Sequence, residues 1–189
     1  GEWSLLQGAH CAAMLREQGT STKVAINVSR VQLTSSSFMQ ALHGALICAN
    51  VAPESIELEL TESLFMDLSA TVQANVRGAR AAGVGLAIDD FGTGYSCLSS
   101  LKDLPATKLK LDRAFIGVLP RDRRAFAIVR AMTQLARDLG MIVVAEGVET
   151  KEQLDACEAA GVDATQGFFN ARPMSGEALM LWMKSGMKK

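Results

Sequence analysis

Apolar residues recur along this chain with two alternating spacings. At helical spacing, Leu5, Leu6, Ala9, Ala12 and Ala13 mark one side of a helix from Trp3 to Gln18, which Gly19 stops. Val24 to Ser29 then reads as a strand. A serine cluster leads into a helix over 38–49, with Phe38, Leu42, Ala45 and Leu46 on one face and Pro53 after it. Ile56 to Glu62 alternates strictly and predicts a second strand. Leu68, Val72, Val76 and Ala79 stripe a helix over 69–82, closed by Gly83. The run from Val84 to Ile88 predicts a third strand, ending in Asp89 and Asp90. A short helical stretch over 95–104 ends at Pro105. Strands follow over 107–112, 141–146 and 163–169, separated by helices over 122–139 and 150–160. Thr150 and Gln153 are spaced as a capping box, Arg172 and Pro173 make a turn, and Ser175 caps a last helix to about Lys184.

Strands alternating with helices predict a parallel sheet covered by helices, in a (β/α) barrel or an open doubly wound sheet. Hairpins are excluded by the intervening helices. In Ile56–Leu60 the glutamates Glu57 and Glu59 face away from the leucines, and in Lys108–Asp112 the charged residues share a face. In a barrel, Asn27, Glu59 and Lys110 would point inward, where charges need partners or a cation. Every predicted strand delivers polar chemistry near its carboxyl end: Asn27, Glu59 with Glu62, Asp89 with Asp90, Lys110 with Asp112, Glu146 with Glu149, and Gln166. The carboxyl rim is where barrel active sites form.

Oxygen ligands without Cys or His indicate a hard cation, Mg2+ or Mn2+. Acids clustered in one site suggest two such ions, with Asp89 bridging, and that arrangement suits phosphodiester hydrolysis. Lys110 can hydrogen-bond or deprotonate the attacking water, or serve as a structural ion pair. Gly92-Thr93-Gly94 is neither GxGxxG nor a P-loop, and reads as a lid or packing turn. Arg113 and Arg121 to Arg124 read as solvated.

Composition narrows the picture. The chain has 189 residues, is 49% hydrophobic and carries a net charge of -1, which suits one domain and gives no electrostatic reason for DNA or RNA binding. No apolar run reaches membrane-spanning length and no signal pattern opens the chain, so a cytoplasmic place is expected, either alone or as the cytoplasmic domain of a larger, membrane-anchored protein. Cys11, Cys48, Cys97 and Cys157 lack CxxC spacing and read as reduced thiols. His10 and His43 read as structural or surface residues.

The motifs Asn27-Val-Ser, Glu59-Leu-Thr-Glu62, Asp89-Asp-Phe-Gly-Thr-Gly-Tyr95, Lys110-Leu-Asp112, Glu146-Gly-Val-Glu149 and Gln166-Gly-Phe resemble the EAL-domain family of bacterial cyclic di-GMP phosphodiesterases in order and spacing. The resemblance covers nearly all of residues 1–189. It implies an α/β fold, the TIM-like (β/α)8 barrel with its first strand antiparallel, of which about six strands are read here. It implies hydrolysis of cyclic di-GMP to linear pGpG with two Mg2+ or Mn2+ ions, in second-messenger signalling. Asn27, Glu59 and Asp89 resemble the ligands of one metal, and Asp89, Asp90 and Glu146 those of the other. Lys110 resembles the residue that contacts the attacking water, with Glu146, Asp89 and Asp90 as its catalytic neighbours. Glu149, Gln166, Asp112 and Pro173 are implied as substrate contacts. Glu62 resembles the glutamate holding the loop over 91–96, which the family ties to metal binding and dimerisation. A homodimer and upstream sensory or GGDEF-type domains are implied as partners.

Two departures stand out. Gln166-Gly-Phe168 replaces the usual Gln-Gly-Tyr, keeping an aromatic. The Glu-Ala-Leu motif is expected upstream of Trp3 and is absent there, together with two family strands, one glutamate ligand and a phosphate-binding arginine. Six strands close a barrel poorly, so an open edge beside Val24–Ser29 is expected. Three outcomes stand open: the chain is part of a longer protein, it dimerises or swaps to fill the gap, or its own N-terminal helix covers it. Weak or no turnover is expected of the chain as written. The alternatives to an enzyme are a cyclic di-GMP receptor without turnover and a structural or partner-binding module.

Overall fold

A computed structural model describes residues 2–67, 69–92, 101–102 and 104–185. The chain divides into two compact units. One holds the residues up to Asp89 with the described residues of 101–107; the other holds Asp90–Gly92 and 108–185.

In the first unit, helix α1 (Glu2–Glu17) leads to strand β1 (Val24–Asn27), the short helix α2 (Arg30–Leu33), helix α3 (Phe38–Ala49), strand β2 (Ile56–Thr61), the short helix α4 (Glu62–Phe65), helix α5 (Ala70–Ala81) and strand β3 (Gly85–Phe91), whose last two residues are assigned to the second unit. Strand order follows the chain, β1 beside β2 beside β3, and every pairing is parallel. Leu58, Leu60, Leu86 and Ile88 are fully buried, and so are Leu5, Leu42, Val72 and Ala79 from the helices. The glutamates of β2 are buried too, at 3% exposure for Glu57 and 9% for Glu59. The alternation in β2 therefore separates two buried faces, as in a parallel sheet, and does not mark a wet one.

In the second unit, strand β4 (Lys108–Leu111), the short helix α6 (Arg113–Ile116), helix α7 (Arg123–Asp138), strand β5 (Ile142–Ala145), helix α8 (Lys151–Ala159), strand β6 (Ala164–Thr165) and helix α9 (Gly176–Lys184) follow in order. β4, β5 and β6 pair in parallel. Its core is Leu109, Leu111, Ile116, Val129, Val143 and Cys157. Burial pushes the Cys157 thiol up to about 11, which leaves it unreactive.

Several boundaries move for identifiable reasons. Ser29 and Gln32 form a capping box that opens α2 where a plain connection was expected. Glu62 starts α4 and does not end β2. Asp112 caps α6, its Oδ1 accepting from the Ala114 N–H at 2.8 Å. The last strand shrinks to two residues because a turn begins at Gly167. On α5, Asn75 is buried in the apolar stripe; its amide donates to the Leu33 and Ser35 carbonyls at 2.8 and 2.9 Å. On α7 the buried line is Ala125, Val129, Thr133 and Ala136, with Phe126, Leu135 and Leu139 half-buried beside it. Leu68, Cys97 and nearly all of the helix expected over 95–104 lie outside the described residues.

α1 packs on α3 and β1. Its Gly8 lies against Ile26, so closely that an added Cβ would stand 2.3 Å from Cδ1. The opposite face of β1, with Ala25 and Asn27, is exposed; the N-terminal helix covers the Ile26 face alone. The tripeptide Glu177-Ala178-Leu179 does occur in this chain, in the first turn of α9. His10 and His43 are exposed, as expected. No helix among the described residues is long and apolar enough to cross a membrane.

Candidate active site

Strand register decides which side chains share a face. In the first unit, Asn27 stands opposite Glu59, and Glu59 opposite Ala87. Asp89 is two residues beyond Ala87, so Asn27, Glu59 and Asp89 share one face. In the second unit, Lys110 stands opposite Val144, and Val144 opposite Ala164. Glu146 and Gln166 lie two residues further along. Their N–H groups extend the ladder, donating to Leu111 O at 3.0 Å and Ala145 O at 2.8 Å. Lys110, Glu146 and Gln166 therefore share a face as well.

Asp89 and Asp90 pose a geometric problem. Consecutive strand residues point to opposite faces, so an unbroken strand could not aim both at one place. Asp90 resolves it with φ +52°, a left-handed conformation that aspartate tolerates better than most residues. With that backbone, Asp90 and Glu146 offer carboxylate oxygens within 4.8 Å of each other. Lys110, 4% exposed, pairs with Glu146 at 2.7 Å.

Asp90 and Glu146 open on a cleft of about 670 Å³ in the second unit, lined also by Asp112, Glu149, Gln166 and Phe168. Two glycines shape its wall. Gly147, at φ +70°, makes room for Arg113, whose Cβ lies 2.5 Å from where a Cβ on Gly147 would be. Gly167 lies against the Val148 backbone, where a Cβ would stand 2.2 Å from the carbonyl oxygen. That approach lets Val148 N–H donate to Gln166 O at 3.0 Å, tying the two loops together. Gln153, buried on α8, accepts from the Glu149 and Thr150 N–H groups at 2.7 and 3.1 Å and so fixes the loop bearing Glu149.

The sequence-derived residues thus separate by region. Asp90, Lys110, Asp112, Glu146, Glu149 and Gln166 come together in the second unit. Asn27, Glu59 and Asp89 share a face of the first. Glu62 is buried at 9% exposure, while most of the loop assigned to it lies outside the described residues. Pro173 is exposed and does not line the cleft. The sequence assigns Arg113, Gln153, Phe168 and Arg172 no part in the site itself, reading them as solvated surface, helix cap, retained aromatic of a motif and turn. The Thr150–Gln153 capping box was the available signal for Gln153; the other three depend on how loops fold.

The sequence model described as "EAL domain" matches residues 4–173. MucR of Pseudomonas aeruginosa, a bifunctional diguanylate cyclase/cyclic di-GMP phosphodiesterase, is 38% identical over 181 residues, covering 95% of this chain and 26% of MucR. The crystal structure of the EAL domain of Mycobacterium smegmatis DcpA is 35% identical, with a TM-score of 0.92 over 100% of this chain and 86% of that one. A manganese/cyclic di-GMP complex of Klebsiella pneumoniae BlrP1 is 30% identical, with a TM-score of 0.82 over 93% of this chain and 45% of that one. The chain spans 22% to 26% of the length of the first curated relatives it matches. The fold is of the EAL (β/α) barrel type, with six of its strands among the described residues. The acid cluster, read beside the manganese complex, suggests binding of divalent metal. By the extent of the match to its family sequence model, this chain belongs to the EAL domain family.

Proposed function

We propose that this chain carries a metal-dependent site that hydrolyses cyclic di-GMP to linear pGpG. The observation that carries the reading is the meeting of Asp90 and Glu146 beside Lys110, at the carboxyl ends of parallel strands, in a member of this family. Carboxylates brought within 4.8 Å of each other repel, and a cation between them offsets that cost. The donors are all oxygen, which fits Mg2+ or Mn2+. Asp89, Asp90 and Glu146 are the proposed ligands of one ion, and Asn27, Glu59 and Asp89 of a second. Bound there, such ions supply Lewis acidity toward the phosphate oxygens and lower the pKa of a water.

The chain's own residues do the rest. Lys110, paired with Glu146, stands as a hydrogen-bond donor toward the attacking water. Glu149 and Gln166, exposed in the cleft, offer an acceptor and an amide to the nucleotide. Asp112 is proposed as a further contact, and Glu62 as the support of the loop after β3. A homodimer and a sensory or GGDEF-type domain in the whole protein complete the proposal. The double activity in MucR's name supports the latter.

The test is incubation of the natural full-length protein with cyclic di-GMP and Mg2+ or Mn2+, with products separated by chromatography. Linear pGpG that ceases to form in EDTA is the expected result. Tight binding without product would move the assignment to a receptor, and neither binding nor product would leave a structural module.

A further inference from the structure

Two helices of four residues follow the two strands that carry Asn27 and Glu59. α2 starts three residues after Asn27, and α4 starts three residues after Glu59. Helices this short do not hold themselves in water, so their position is set from outside. One ion pair joins them. Nη2 of Arg30, the first residue of α2, lies 2.5 Å from Oδ2 of Asp67, two residues beyond the end of α4. This is not a bridge between two solvated groups. The Arg30 side chain is 65% exposed, but that of Asp67 is only 9% exposed. The other oxygen of Asp67, Oδ1, accepts from the Ser69 N–H at 2.8 Å, and the Gln73 amide donates to the Asp67 carbonyl at 2.8 Å. A carboxylate buried to this degree needs its cation.

The pair matters for Asn27 because the ladder stops beside it. The register between β1 and β2 ends at Asn27 and Glu59, with one further bond from the Val28 N–H to Glu59 O at 3.0 Å. Among the described residues β1 has a neighbour on one side only, and the end of such a strand is where fraying starts. Past Val28, Ser29 and Gln32 cap α2 from within. Asn75 on α5 ties down its far end through the Leu33 and Ser35 carbonyls. Arg30–Asp67 ties down the near end, next to Asn27, and anchors it to the segment that leaves Glu59. We propose that Arg30 and Asp67 are positioning residues: their ion pair fixes the spacing of Asn27 and Glu59, and so sets the affinity for the ion that these two are proposed to share. The inference rests on the two-ion reading of the site and deepens it.

The test is calorimetric titration of Mn2+ into the natural full-length protein, with circular dichroism to check that each variant folds. Wild type is expected to take up an ion that Glu59→Gln loses. Arg30→Gln and Asp67→Asn are each expected to weaken uptake of that ion about tenfold, and to leave the ion at Asp90 and Glu146 as in wild type. The double variant is expected to lose no more than either single one, because the two residues act as one tie. Arg30→Lys keeps the charge and is expected to recover most of the affinity; Arg30 is the more exposed partner, so its variants stand if Asp67→Asn does not fold. Wild-type uptake of both ions in Arg30→Gln would overturn the tie and leave the two-ion reading intact. Equal weakening of both ions, or losses that add in the double variant, would overturn it as well. Wild-type protein that binds Mn2+ no better than Glu59→Gln would overturn the assignment of Asn27 and Glu59 to an ion, and the inference with it.

Discussion

Strand β5 meets a carboxylate near each end, Asp163 from the start of β6 and Glu146 from its own end, and the two are held differently. At its start, Asp163 accepts from Arg137 at 2.6 and 3.2 Å and from the Val143 N–H at 2.8 Å. The hydrogen bond from Arg137 holds the Asp163 carboxyl below the usual carboxylate range, helped by that backbone N–H. Everything about this acid is answered by cations and donors of the fold. At the other end, Glu146 takes an ion pair from Lys110 but also meets a second acid, Asp90, whose backbone adopts a left-handed conformation to reach it. An acid facing a base strengthens a fold; acids facing each other, at a backbone cost, suit a site that a further cation completes.

The comparison can be broken most forcefully at Asp90. Asp90→Asn keeps a side chain that tolerates the left-handed backbone and removes one charge. Turnover of cyclic di-GMP is expected to fall on the order of 100-fold or more, with the thermal midpoint unchanged or raised. An unchanged rate in a steady-state assay would place Asp90 with the structural acids. Next is Lys110→Met, which leaves Glu146 without the ammonium at 2.7 Å. Chemical denaturation should record a loss of about 3 kcal/mol, restored in part by added Mg2+. Gly167→Ala would drive a methyl into the Val148 backbone, at an expected cost of about 2 kcal/mol by the same measurement.

The smallest effect belongs to the start of β5. Because the folded pKa of Asp163 is depressed, its contribution is complete above the unfolded value of about 3.9 and fades as pH falls through the folded value. Asp163→Asn should therefore cost about 1 kcal/mol or less at pH 7, since the pair is partly exposed. The difference from wild type should vanish toward pH 3 in thermal melts. A difference that persists there would mean that the Val143 N–H, and not the charge, supplies the stability.

Much of this architecture was legible in the residues. Strict alternation and glycine stops gave the strands and long helices, and the carboxyl-end acids pointed to the candidate site. Short helices escaped, because a four-residue turn such as α2 or α4 has too few positions to display a period. Glu57 and Glu59 were legible as one face, but their burial was not, since burial depends on what packs above a sheet. The φ of Asp90 escaped for another reason: its residue type permits a left-handed backbone without demanding one. Phe168 and Arg172 are four residues apart in a segment without periodicity, and only the turn at Gly167 brings them together.

The most direct test of the claim that these acids converge on a cation is a titration of Mn2+ followed by electron paramagnetic resonance. Wild-type protein is expected to take up Mn2+ and lose the free-ion signal, with uptake much weakened in Asp90→Asn and in Glu146→Gln and unaffected in Asp163→Asn. A free-ion signal that wild-type protein leaves undiminished, or uptake that survives both carboxyl-end substitutions, would contradict the account.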